Sequence, residues 1–131
     1  MAETWHALGR PARILIADRN PHVRELLRRE LTAEGYQVRV ARDGQELLNL
    51  INGADPPDLL VLDLEVPYLN ELAVMARLRE RLPSLPVIIH SLSPAYAEQP
   101  PPEAAAFLEK EEDIDHLKAV IAEVLARHYR S

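Results

Sequence analysis

The sequence predicts an α/β domain, a doubly wound sheet of five parallel strands with helices on both faces. Three observations carry this. Short, β-branched apolar runs recur at Arg13-Ile14-Leu15-Ile16-Ala17, Asp58-Leu59-Leu60-Val61-Leu62 and Val87-Ile88-Ile89, the pattern of strands buried on both faces. Segments with apolar residues at helical spacing lie between them. Breaker residues, among them Gly35, Asp55-Pro56-Pro57, Pro83 and Pro86, separate the two patterns. At 131 residues, 47% apolar and 27% charged, the chain fits one soluble folded domain.

The first strand ends at Asp18, and Asn20 with Pro21 then opens a helix, an N-cap residue type followed by proline at the first helical position. Val23, Leu26, Leu27 and Leu31 recur along it, and Gly35 ends it. Tyr36, Val38 and Val40 alternate as in a second strand. Asp43-Gly44-Gln45-Glu46 has the form of a capping box before Leu47, Leu48 and Ile51. The third strand, the most apolar, ends at Asp63. A loop through Pro67 leads to a helix with Leu72, Met75, Leu78 and Leu82 facing inward, and the fourth strand ends at His90 and Ser91. Between Ser93 and Glu103, Pro94, Pro100, Pro101 and Pro102 are incompatible with a regular helix. A short fifth strand follows over Ala104 to Leu108. The last helix starts near Asp113 and carries Ile114, Leu117, Val120, Ile121, Val124 and Leu125 on one face. Residues 1–12, which include Trp5, lack the apolar core of a secretory leader and are expected to form a mobile tail ahead of a domain over 13–131.

A net charge of −6 and a pI near 5.3 argue against non-specific binding to nucleic acid or an anionic membrane, both of which need a field of Lys and Arg. Protein partners and cations are favoured instead. Without cysteine, neither a disulfide framework nor a cysteine zinc site is available. No apolar run is long enough to span a bilayer, so a cytoplasmic protein is expected. Arg77, Arg79 and Arg81 with Glu80 read as a solvated helix region, and His90 as a structural histidine.

In a parallel α/β sheet, ligands and reacting groups collect beyond the carboxyl ends of the strands, at the switch in strand order. Those ends carry Asp18 with Arg19, then Asp63, then Ser91, and Lys110 just after the fifth strand. With Pro67 four positions past Asp63, and with Pro86-Val87-Ile88-Ile89-His90-Ser91 and Phe107-Leu108-Glu109-Lys110, the chain resembles the receiver domain of two-component response regulators, a flavodoxin-like fold, from Arg13 to Arg130.

The resemblance implies that Asp63 is the phosphoacceptor, taking a phosphoryl group from a histidine kinase or phosphotransfer protein, and that the signal passes to a separate effector protein. It implies Mg²⁺ held by Asp18 and Asp63, with Glu65 added here as a weak third acid. Lys110 would pair with Asp63 or its phosphoryl group, Ser91 would supply a hydroxyl that follows phosphorylation, and Phe107 would be the aromatic switch. Catalysis would be limited to taking phosphate from a donor and losing it again.

Several positions depart from the family pattern. Arg19 stands where a second acid is usual, which lowers the expected Mg²⁺ affinity, and Glu65 is placed to partner it. Asp18, Asp63 and Glu65 with Arg19 and Lys110 sum to −1, against −2 for the usual three acids and one lysine. Opposite charges about 4 Å apart attract by roughly 4 kcal/mol at an effective dielectric near 20, before desolvation, so Arg19 can take over part of the cation's role. Glu111 replaces a proline after the lysine, Leu92 replaces a small residue, and Glu71 replaces a glycine. The short, proline-rich interval from Ser91 to Lys110 predicts that the helix between the fourth and fifth strands is degenerate. That leaves the last helix as the candidate surface for a homodimer.

The alternative is a phosphorylation-independent pseudo-receiver that only binds proteins. A haloacid-dehalogenase-like hydrolase, suggested by Asp63-Leu64-Glu65, would place that pair after the first strand and needs a longer chain. A flavin-binding fold would need a phosphate loop that Asp18-Arg19-Asn20-Pro21 does not supply.

Overall fold

The computed structural model describes residues 8–92, 104–110 and 113–129. Five strands, β1 (Arg13–Ala17), β2 (Gln37–Ala41), β3 (Leu59–Leu62), β4 (Val87–Ser91) and β5 (Ala104–Glu109), form one sheet in the order β2-β1-β3-β4-β5. Every pairing is parallel. Among the described residues, the helices are α1 (Pro21–Ala33), α2 (Gly44–Ile51), α3 (Val74–Arg81) and α4 (Ile114–His128). This is the doubly wound arrangement expected from the sequence.

Alternation along the strands explains their unbroken apolar character. Ile14, Ile16, Leu59, Val61 and Ile88 face a core cluster with Leu27 and Leu31 of α1 and Leu117, Ile121, Val124 and Leu125 of α4. Leu15, Leu60, Leu62 and Ile89 face the opposite cluster, with Leu47, Leu48 and Ile51 of α2 and Val74 and Leu78 of α3. Helices therefore cover both faces of β1, β3 and β4, while the edge strands β2 and β5 leave Gln37, Arg39, Ala105 and Glu109 exposed.

Local chemistry sets the helix ends. The Asn20 side chain accepts from the amides of His22 and Val23, as an N-cap does. At the other end of α1, Gly35 adopts φ +99°. Its amide donates to the Thr32 carbonyl and that of Tyr36 to Leu31, the paired bonds of a Schellman ending. The capping box of α2 closes differently from expectation. Asp43 accepts from the Glu46 amide at 3.0 Å, but the Glu46 carboxylate accepts from the amide and guanidinium of Arg42 instead of reaching back to Asp43.

Two further expectations change. Leu26, placed by spacing on the inner face of α1, is 40% exposed, because Leu27 and Leu31 fill the narrow contact with the sheet. The described part of the leader is not a tail. Ala12 is fully buried, Leu8 packs on the core, and Arg10 makes two bonds of 2.7 and 2.9 Å to the Asp58 carboxylate. The proline-rich segment over 93–103, with the degenerate helix expected there, lies outside the described residues, as do Trp5 and Glu111.

Candidate functional site

The strand order fixes where the site lies. From β1 the chain goes to β2 on one side and later to β3 on the other, so the switch point falls between the ends of β1 and β3. Ala17 is in register with Leu62, and the Asp63 amide donates to the Ala17 carbonyl at 2.9 Å. The residues that follow, Asp18 and Asp63, therefore stand side by side, and both are buried.

Lys110 reaches them from two strands beyond β3. The register Ser91 to Glu109 carries β5 to the same end of the sheet, and the Lys110 amide donates to the Ser91 carbonyl at 3.0 Å. Parallel strands lie about 4.8 Å apart, so only a long side chain can cross β4 from there. The Lys110 ammonium donates to Asp18 Oδ1 at 2.9 Å and to Asp63 Oδ2 at 3.1 Å. One buried cation thus bridges two buried carboxylates, so neither acid is enclosed without an opposite charge beside it.

Arg19 approaches from the solvent side. Its Nε lies 3.7 Å from Asp63 Oδ2 and its Nη1 lies 2.5 Å from Glu65 Oε2, which realises the pairing anticipated from the sequence. The backbone adds further donors. The amides of Arg19 and Glu65 point to Asp63 Oδ2 and Oδ1 at 3.4 and 3.0 Å, and the Asn20 amide donates to Asp18 Oδ1 at 2.9 Å.

Ser91 is fully buried at the end of β4. Phe107, paired with Ile89 across the ladder, is half-buried and packs on the α2 and α3 side of the sheet. His90 is buried at the end of β4.

Two participants escaped sequence reasoning. Arg24, in the first turn of α1, donates from Nη1 to the Asp18 carbonyl oxygen at 2.8 Å. Its signal was available, since side chains in a first helical turn lean back toward the helix N-terminus and so toward the preceding strand end. Gly44 is the second. Its amide donates to the Pro67 carbonyl at 2.7 Å, and a Cβ there would lie 2.6 Å from the Tyr68 carbonyl oxygen. The loop that follows Asp63 therefore rests directly on the start of α2, with Tyr68 at φ +65°.

Mg²⁺ prefers near-octahedral oxygen ligands, commonly one or two carboxylates with waters. Asp18 and Asp63 are donors of that type. Their arrangement does not fit the ion, because all four of their carboxylate oxygens already face protein N–H groups of Lys110, Arg19, Asn20 or Glu65. The third acid, Glu65, is turned to Arg19. Among the described residues, no three His, Asp or Glu side chains are grouped to hold a metal.

Comparison with known proteins agrees with this geometry. The family model for the response regulator receiver domain matches residues 14–122. Response regulator MprA of Mycolicibacterium vanbaalenii is 46% identical over 79 residues, 60% of this chain and 34% of that protein. MprA of Mycobacterium avium is 46% identical over 77 residues, 59% of this chain and 33% of that protein. The chain spans about a third of the length of these curated relatives.

Among solved structures, response regulator TrrA from Thermotoga maritima, in complex with Mg²⁺ and BeF, has a TM-score of 0.75 at 30% identity. The match covers 86% of this chain and 98% of that one. TrrA in its complex with the histidine kinase ThkA has a TM-score of 0.71 at 30% identity, covering 87% and 98%. A signal receiver domain of an HD domain-containing protein from Pseudomonas fluorescens reaches 0.81 at 21% identity, covering 93% and 100%, a likeness of fold alone. Fold, strand-end carboxylates and a family match that runs from β1 into α4 agree: the chain belongs to the response regulator receiver domain family of two-component signalling.

Proposed function

We propose that this receiver accepts a phosphoryl group on Asp63 from a histidine kinase or phosphotransfer protein and transmits the change through protein contacts. The observation that carries the reading is the Asp63 carboxylate at the switch point, 3.1 Å from the buried Lys110 ammonium. An oxygen of Asp63 attacks phosphorus, the bond from phosphorus to the donor's imidazole nitrogen breaks, and that nitrogen keeps the electron pair. Phosphoryl transfer asks a protein mainly for alignment and charge neutralisation. Lys110 supplies a cation to the phosphoryl oxygens, and Asp18 holds Lys110 in place. Ser91 and Phe107, next to each other's strands, are the side chains through which the loaded state alters the β4 and β5 edge. That the relative TrrA forms a complex with a histidine kinase supports this donor class.

Incubation with an acyl phosphate, followed by intact mass, tests the reading. Wild type should gain one phosphoryl group and Asp63→Asn none. A folded wild type that gains nothing in donor excess refutes it, and would favour a receiver that binds partners without phosphorylation, as the Arg19 contact to Asp63 also allows.

A further inference from the structure

We propose that Arg19 takes the place of the divalent cation in this receiver, so that Asp63 is loaded without Mg²⁺. The proposal takes Asp63 as the phosphoacceptor and concerns what neutralises its charge. Three carboxylates, Asp18, Asp63 and Glu65, face two cations at ion-pair distance, Lys110 and Arg19, and the Arg24 guanidinium adds a further positive charge at the Asp18 backbone carbonyl. A site whose acids are already ion-paired in this way offers little attraction to an ion that must shed tightly held water to enter. The oxygens of Asp18 and Asp63 would also have to give up protein donors.

Arg19 differs from Lys110 in being exposed enough to reach a new partner. Its side chain is 44% exposed and its partner Glu65 is 36% exposed. An ion pair so placed is weak and readily exchanged. A guanidinium presents a planar fork of donors that matches phosphoryl oxygens in a bidentate manner. When Asp63 carries a phosphoryl group, Arg19 moves its fork from Glu65 to the new oxygens, a shift of one side chain with no backbone rearrangement. Glu65 holds the fork beside Asp63 until then.

Two measurements on the full chain test this, and they fail separately. In the first, Mg²⁺ is titrated into unphosphorylated protein while backbone amide NMR shifts near Asp18 and Asp63 are followed. Wild type should show no saturable shift at millimolar Mg²⁺, whereas Arg19→Asp should bind at least about tenfold more tightly, since affinity for hard cations follows ligand charge. Arg19→Gln, which removes the cation with little change of size, should lie between them and guards against misfolding of the aspartate variant. Saturable binding by wild type at low millimolar Mg²⁺, or no gain in folded Arg19→Asp and Arg19→Gln, overturns the proposal.

In the second, phosphoryl uptake from an acyl phosphate is timed with Mg²⁺ and with EDTA. Equal wild-type rates, with slower uptake by Arg19→Gln in EDTA, are expected; loss of wild-type uptake in EDTA overturns the proposal. If wild type takes no phosphoryl group under either condition while the titration behaves as stated, the phosphoacceptor reading falls, and with it metal-free loading of Asp63, while the exclusion of Mg²⁺ by Arg19 stands.

Discussion

Lys110 and Arg19 both approach Asp63 Oδ2, and their burial makes them energetically different. The Lys110 side chain is 6% exposed, between two acids that are almost wholly enclosed. Removing the cation from such a group leaves like charges buried together, a loss on the order of 3 kcal/mol. Lys110→Met should therefore lower unfolding free energy in urea by about that amount, and adding Asp63→Asn should recover at least about 1 kcal/mol of it, because the two sites are coupled. Additive losses in this cycle would mean that the ammonium is not held by Asp63. Arg19→Ala should cost less than about 1 kcal/mol in the same assay, since exposed ion pairs contribute little. Arg19 is thus a residue whose substitution changes the chemistry of the site and leaves the fold nearly untouched.

Among the elements, the loop from β3 to α3 is the one under constraint. Tyr68 and Ala73 both have positive φ, at 65° and 49°, a region that side chains with a Cβ adopt at some cost. The loop is pinned where the Gly44 amide meets the Pro67 carbonyl. A methyl group at position 44 would meet the Tyr68 carbonyl at 2.6 Å, a backbone atom that cannot rotate away. Gly44→Ala should destabilise the domain by about 1–3 kcal/mol, as overpacking does, and should shift amide resonances of residues 64–69. Full stability in Gly44→Ala would show that the loop is free to lift from α2. At the start of α1, Asn20→Ala removes a cap with two amide bonds and should cost about 1 kcal/mol.

Across the whole molecule, the end of the sheet opposite Asp63 is tied by a second polar cluster. Asp58 precedes β3, and its carboxylate accepts from the Arg10 guanidinium and from the Arg13 amide at 2.7 Å. The Tyr129 hydroxyl, just past α4, donates to the Asp58 carbonyl at 2.5 Å. This joins the described leader, the central strand and the last helix. Burial, with the nearby Asp58 charge, pushes the Tyr129 phenol up to about 12, and Arg10 opposes the shift. The folded state thus holds this proton more tightly than the unfolded chain, whose tyrosines titrate near 10. Its contribution is complete below about pH 10 and disappears as pH rises toward 12. Discounted for partial exposure, wild type should lose roughly 1–2 kcal/mol more than Tyr129→Phe between pH 9 and 12 in denaturant titrations. Parallel curves for the two proteins would contradict the assigned bond.

The alternation of apolar strands with amphipathic helices was enough to determine the doubly wound sheet, since only a strand covered on both faces is apolar throughout. It also placed Asp18 and Asp63 at strand ends, because the end of an apolar run is visible as its first polar residue, with Ser91 and Lys110 one position past that residue after their own apolar runs. The tertiary structure decided what those residues touch. Leu26 and Leu27 both suit a helix of this period, and only packing shows that Leu27 enters the core and Leu26 does not. Arg10 and Ala12 read as leader residues until Asp58 and the core are found beside them. The Arg19 and Glu65 pair was anticipated from the sequence, and the pairing of β1 with β3 gives it its geometry, with Arg19 also at Asp63. Arg24 joins them through the first turn of α1. Linear spacing records which residues share a face. The charge of a pocket is a sum over residues from separate elements; the strand ends already bring five of them together, and only the folded chain adds Arg24.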